Sequence, residues 1–160
     1  MNMDDLLKKI KKFKEEKGAD LSMEEDLSIG IMNLISLEEH FFFTANKTKK
    51  SHYYELLEQT REIRKRMLAK MMPNNEGETW CISKHLLAAS MRLIEVGTKY
   101  QNMKQTKEAE TVFADAFRLY NLFWGIRLEL IDLKEVKKKD EDEKWTMDDL
   151  VTKLVDCCRE

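Results

Sequence analysis

Residues 82–100 read ISKHLLAASMRLIEVGTKY, and this stretch decides the fold class. Ile82, Leu86, Ala89, Leu93, Val96 and Tyr100 recur at steps of four, three, four, three and four. A helix of 3.6 residues per turn stacks that spacing into one apolar stripe. Thr79 stands where an N-cap belongs, so a helix is predicted from about residue 79 onward.

Reading outward, the same period recurs on both sides. Downstream, roughly 106–133 is the most apolar segment, with Val112, Phe113, Ala116, Phe117, Tyr120, Phe123 and Trp124. So wide an apolar arc predicts cover by neighbours on more than one side. Upstream lies MMPNNEGE at 71–78, which holds the single proline and reads as a loop. Before it, Ser51 is placed to cap a helix over about 52–72 with Leu56, Ile63 and Met67 on its apolar stripe. NKTKK at 46–50 separates that helix from one over about 22–46 that carries Leu27, Ile31, Leu34, Phe41 and Ala45. Ser22 followed by Glu25 has the spacing of a capping box at its start. A short amphipathic helix is predicted at each end. One lies near 3–17 with Leu6, Leu7, Ile10 and Phe13, and the other follows Thr146 after the charge-dense run LKEVKKKDEDEK.

Four long helices joined by short links predict an all-α chain, arranged as an up-down four-helix bundle. The bundle is assigned to residues 21–133. An N-terminal amphipathic helix occupies 1–20, and a charged linker with a C-terminal amphipathic helix occupies 134–160. Composition agrees: 160 residues are one domain's length, and five glycines and one proline leave few turns for strands. Hydrophobic residues at 42% and charged residues at 36% suit helices with one wet face.

Charge and cysteine usage narrow the function classes. A formal net charge of −2 supplies no global basic field for nucleic acid or anionic membranes. No apolar run is long enough to span a bilayer, and the N-terminus lacks the apolar centre of a signal peptide. Cys81, Cys157 and Cys158 form no disulfide framework, which predicts a reducing compartment, the cytoplasm.

Leu93, Gly97, Tyr100, Ala109, Phe113 and Ala116 follow the spacing of a tetratricopeptide repeat, and residues 93–121 resemble that family's helix pair. The resemblance implies two antiparallel helices brought close by small residues, with aromatics filling the space between. Asn121 stands near the place of the family's usual proline, and a shift of one repeat length finds no second copy. What the resemblance implies is therefore a tetratricopeptide-like hairpin inside a bundle and not a peptide-binding solenoid.

Two constellations bear on chemistry. Cys81 and His85 lie one helical turn apart, a spacing at which two side chains can grip one metal ion. Glu38 and His40 are candidates to complete the set, giving an alternative reading as a metal- or small-ligand-binding bundle centred on Glu38, His40, Cys81 and His85, with zinc or iron as the metal. The Glu-x-x-His motif of di-iron bundles is absent. The structural counterpart is Cys81 as a small buried apolar residue and His85 as an ordinary hydrogen-bonded histidine. As a nucleophile–base pair the two lack an orienting third group and a glycine-rich oxyanion turn, so no enzyme is predicted.

The second constellation is polar residues on apolar stripes. Glu38 shares its stripe with Leu34, Phe41 and Ala45, Arg61 and Arg64 share a face with Leu57 and Leu68, and Arg92 lies beside Leu93. A buried acid and buried arginines need each other, which predicts an interhelical ion-pair network, arginines reaching out to solvent, or a polar pocket for an anionic ligand. Arg61, Arg64, Lys65, Arg66 and Lys70 suit a helix C-terminus, and no aromatic is interleaved for base stacking, so nucleic acid is not an expected partner. FFF at 41–43 and LFW at 122–124 exceed what one stripe requires. The surplus predicts a protein partner or a second copy of the chain, with Phe42, Phe43, Phe123 and Trp124 in contact and no role for a membrane.

Overall fold

A computed structural model of the chain describes residues 21–74 and 78–131, together with Leu7, Lys8 and Lys11. It is an all-α four-helix bundle. The helices are α1 (Ser22–Thr48), α2 (His52–Met71), α3 (Thr79–Asn102) and α4 (Thr106–Arg127), and no strand occurs among the described residues. The amphipathic helix expected near 3–17, apart from Leu7, Lys8 and Lys11, the one expected after Thr146, the charged run from residue 133, Cys157 and Cys158 lie outside the described residues.

Short links fold the helices into two hairpins. Lys49 takes a left-handed conformation at the end of α1, with φ of 58°, and Lys104 does the same before α4. Within the first hairpin Phe41 stacks on Tyr53 at 6.4 Å, while Glu38, a turn earlier, reaches Arg61 and Arg64 further along α2. That order makes α1 and α2 antiparallel. Between the hairpins the Ser28 and Tyr120 hydroxyls share a hydrogen bond of 2.6 Å, and Arg127 donates to Glu24 at 3.1 Å.

The core gathers where the hairpins meet. Ile31 and Met32 of α1, Leu68 and Met71 of α2, Leu86 and Leu87 of α3, and Phe123 and Ile126 of α4 form one buried cluster, with Met72 beside it. Burial of these side chains drives association of helices that would be marginal alone.

Helix positions agree with the sequence reading to within a residue or two, except at one end. Ser51 takes the N-cap position of α2 without a side-chain cap hydrogen bond, whereas Ser22 and Thr79 are the first helical residues, with Leu21 and Glu78 at the cap positions. α4 stops at Arg127 and does not run to 133. The Leu130 and Ile131 amides both turn back to the Gly125 carbonyl, at 2.8 and 3.0 Å, behind a left-handed Glu129.

The buried faces differ more. On α3 the stripe Ile82–Leu86–Ala89–Leu93–Val96–Tyr100 is only partly inward, and Val96 is exposed. The most deeply buried positions are Ser83, Leu87, Ser90 and Gly97, a row offset by one residue. Small residues turn inward because α3 and α4 approach closely, with Gly97 against Phe113 and with Ala109 and Ala116 also buried. Ser90 tolerates this by donating to the Leu86 carbonyl at 2.8 Å. On α2 Leu56 and Ile63 of the expected stripe are exposed and Met67 is partly buried against the core, while Thr60, Arg64, Leu68 and Met71 are fully buried. On α4 Phe117 is 64% exposed, so that helix is not covered on every apolar side.

Two glycines give a contrast that tests the close approach. A Cβ on Gly97 would lie 2.5 Å from a ring carbon of Phe113, whereas one on Gly30 would meet nothing within 4 Å. Gly30→Ala is expected to raise stability by about 0.5–1 kcal/mol, the helix-propensity gain alone. Gly97→Ala forces the ring aside and is expected to be net destabilising, by about 1–2 kcal/mol once that same gain is offset. Urea denaturation of the two variants checks both signs. Equal stabilisation by both would mean that α3 and α4 are further apart than described.

Candidate interaction site

Arg61 and Arg64 lie three residues apart on α2, so both project from one face toward α1. Glu38 meets them there. One carboxylate oxygen accepts the Arg64 Nε–H at 2.8 Å, and the other accepts Arg64 Nη2 at 3.2 Å and Arg61 Nε at 3.1 Å. The Arg64–Glu38 pair is bidentate, the geometry in which a guanidinium matches a carboxylate best. Arg64 is only 2% exposed and Glu38 is buried as well, while the Arg61 side chain reaches solvent. The interhelical ion-pair network expected from the sequence is thus present.

A groove of about 420 Å³ opens beside this cluster between α1, α2 and α3. Ile35, Leu57 and Ala88 give it apolar lining, and Lys84, His85, Phe42 and Phe43 complete it. A second groove of about 330 Å³ adjoins it, sharing Glu39 and Phe43 and adding His40, Lys47 and Arg92. Arg92 holds that region to α1 through Ser36 at 2.9 Å and Glu39 at 3.6 Å. Phe42 and Phe43 stand 49% and 57% exposed, their rings edge to face at 5.3 Å.

The four expected contact aromatics separate. Phe42 and Phe43 present their rings to solvent. Phe123 is 0% exposed and belongs to the core, so its assignment to a partner surface is corrected, and Trp124 is half-buried against the same cluster. The reason is local: Phe123 and Trp124 lie where the two hairpins meet, whereas Phe42 and Phe43 stand on α1 beyond that core.

The metal-ligand set does not assemble either. Glu38 and His85 line the same groove, but the Glu38 oxygens are taken by arginines. His40 faces the neighbouring groove, and Cys81 is buried while His85, one turn on, is exposed. Among the described residues no three His, Cys, Asp or Glu side chains converge to hold a metal ion.

Sequence reasoning missed a third feature, an apolar groove of about 330 Å³ between α1, α3 and α4 lined by Ile29, Met32, Ile94, Phe113 and Phe117. Its signal was the excess apolar width of α4, which reads equally as core until the neighbours are placed. Among the described residues no helix is long and apolar enough to cross a membrane. No protein family, curated protein or solved structure matches the chain.

Proposed function

We propose that this chain is a non-enzymatic protein–protein interaction module whose contact face is centred on Phe42 and Phe43. The observation that carries this reading is the pair of adjacent, half-exposed aromatic rings on α1, three turns beyond the core residues Ile31 and Met32. Large aromatics held on a rigid element, with grooves on either side, supply contact area at low entropic cost and are the usual anchors of interfaces. Cysteine usage favours the cytoplasm as the compartment, and the α3–α4 hairpin, with its tetratricopeptide-like spacing, serves as scaffold.

The test is a Phe42→Ser/Phe43→Ser variant compared with the parent protein. Light scattering over a wide concentration range, followed by cross-linking and recovery of bound protein, reads self-association and partner capture. The variant is expected to lose association while its thermal melting stays unchanged, because neither ring belongs to the core. A parent protein that stays monomeric and recovers no partner would remove the reading.

A further inference from the structure

We infer that residues 146–160 of this same chain form an amphipathic helix that docks in the apolar groove between α1, α3 and α4. That groove is separate from the Phe42 and Phe43 surface, and the inference does not rest on the interaction reading. Its walls are Ile29 and Met32 of α1, Ile94 of α3, and Phe113 and Phe117 of α4, and Glu25 is the one charged residue lining it. Phe117 is 64% exposed and Ile29 46%, so a contiguous apolar surface meets water where three helices converge. A surface of that kind marks a place where an apolar partner belongs.

Chain position, reach and spacing select this occupant. α4 ends beside the start of α1, where Arg127 donates to Glu24 at 3.1 Å, and Tyr120 of the groove shares a hydrogen bond with Ser28 one turn further along α1. The chain beyond α4 therefore sets out from one end of the groove. From Gly125 back to Phe113 is twelve residues, about 18 Å of helix. Residues 132–145 supply fourteen residues of connection, which extend to about 45 Å and so reach any part of it.

The segment that follows has a matching stripe. Met147, Leu150, Val151, Leu154, Val155 and Cys158 fall at i, i+3, i+4, i+7, i+8 and i+11, with Asp148, Asp149, Lys153 and Asp156 outside the stripe. A helix this short is marginal in water alone and needs a surface for its apolar side. A short tether holds it near its target at an effective concentration in the millimolar range, so modest apolar contact suffices. The run from 133 to 144 is too dense in charge to fill the groove itself. The amphipathic stretch near 3–17 suits it less, because Leu7 on its apolar side is 56% exposed.

Hydrogen exchange of the full chain, read by mass spectrometry, tests the docking. Amides of 146–160 are expected to exchange about tenfold more slowly than in a Leu150→Asp/Leu154→Asp variant. Phe117→Ser, on the opposite side of the contact, is expected to abolish the same protection, while Phe43→Ser leaves it intact. Both rings are largely exposed, so circular dichroism melting of each variant is expected to match the parent. Protection lost in Phe43→Ser and kept in Phe117→Ser would place the segment on the other face and overturn the inference. Exchange at 146–160 as fast in the parent as in the double variant would overturn it outright. Protection that Phe117→Ser removes from 3–17 instead would assign the groove to the N-terminal segment, and protection that fades on dilution would assign it to a second copy of the chain.

Discussion

Glu38→Ala is expected to destabilise the protein by about 3–5 kcal/mol, the cost of leaving a buried charge without its partner. Arg64 is 2% exposed and gives both its Nε–H and an Nη to this one carboxylate, so removal of Glu38 takes away the carboxylate that binds a buried guanidinium bidentately. Arg61 is differently placed: its side chain already reaches solvent and can follow the charge outward. Because a domain of this size is stable by only about 5–15 kcal/mol, the loss is a large fraction of the whole. Chemical denaturation of Glu38→Ala measures it.

The companion measurement separates the pair's net worth from the penalty of breaking it. Glu38→Leu combined with Arg64→Met replaces both charges by apolar groups, and this double variant is expected to regain most of the loss, since a buried ion pair is often no better than a well-packed apolar one. A double variant as unstable as Glu38→Ala would show that the network organises this part of the bundle beyond satisfying its own charges. A single variant as stable as the parent would mean that Arg64 is not buried as described.

Phe123→Ala should cost about 3–5 kcal/mol, the range for deleting a fully buried aromatic ring. Phe43→Ala, at the other end of the same comparison, should change stability by no more than about 0.5 kcal/mol. Phe123 sits in the cluster that joins the hairpins, with Trp124 edge to face beside it at 5.7 Å. Phe43 is 57% exposed. Thermal denaturation of the two variants reads the difference directly, as a large drop in Tm for one and almost none for the other. The reverse pattern would return Phe123 to the surface and place Phe43 in the core.

These two pairs mark where sequence patterning was informative and where it stopped. Helical period, scarce glycine and proline, and punctuation at Ser51 and MMPNNEGE located four helices closely, because those signals act within a few residues of chain. The requirement that Glu38 and the arginines satisfy one another was legible for a similar reason: charges on an apolar stripe must be neutralised wherever the helices meet. The inward side of α1 was legible, since Ile31 and Ala45 of its stripe are buried, but that of α2 and α3 was not. Leu56, Ile63 and Val96 are exposed, while Thr60, Ser83 and Ser90 are buried, and no residue-by-residue hydrophobicity predicts that exchange.

Sequence by itself determined that this chain is helical, how many long helices the bundle has, and that a buried acid would need basic partners. Tertiary structure alone decided how α2 and α3 are rotated about their axes, and which of the expected contact aromatics were buried. Close approach of α3 and α4 favours small side chains over greasy ones at the contact, and the Glu38 pairing turns Arg64 inward at the expense of Ile63. Those are contacts between residues far apart in the chain, so no local pattern carries them. They leave Phe42 and Phe43 outside and Phe123 within.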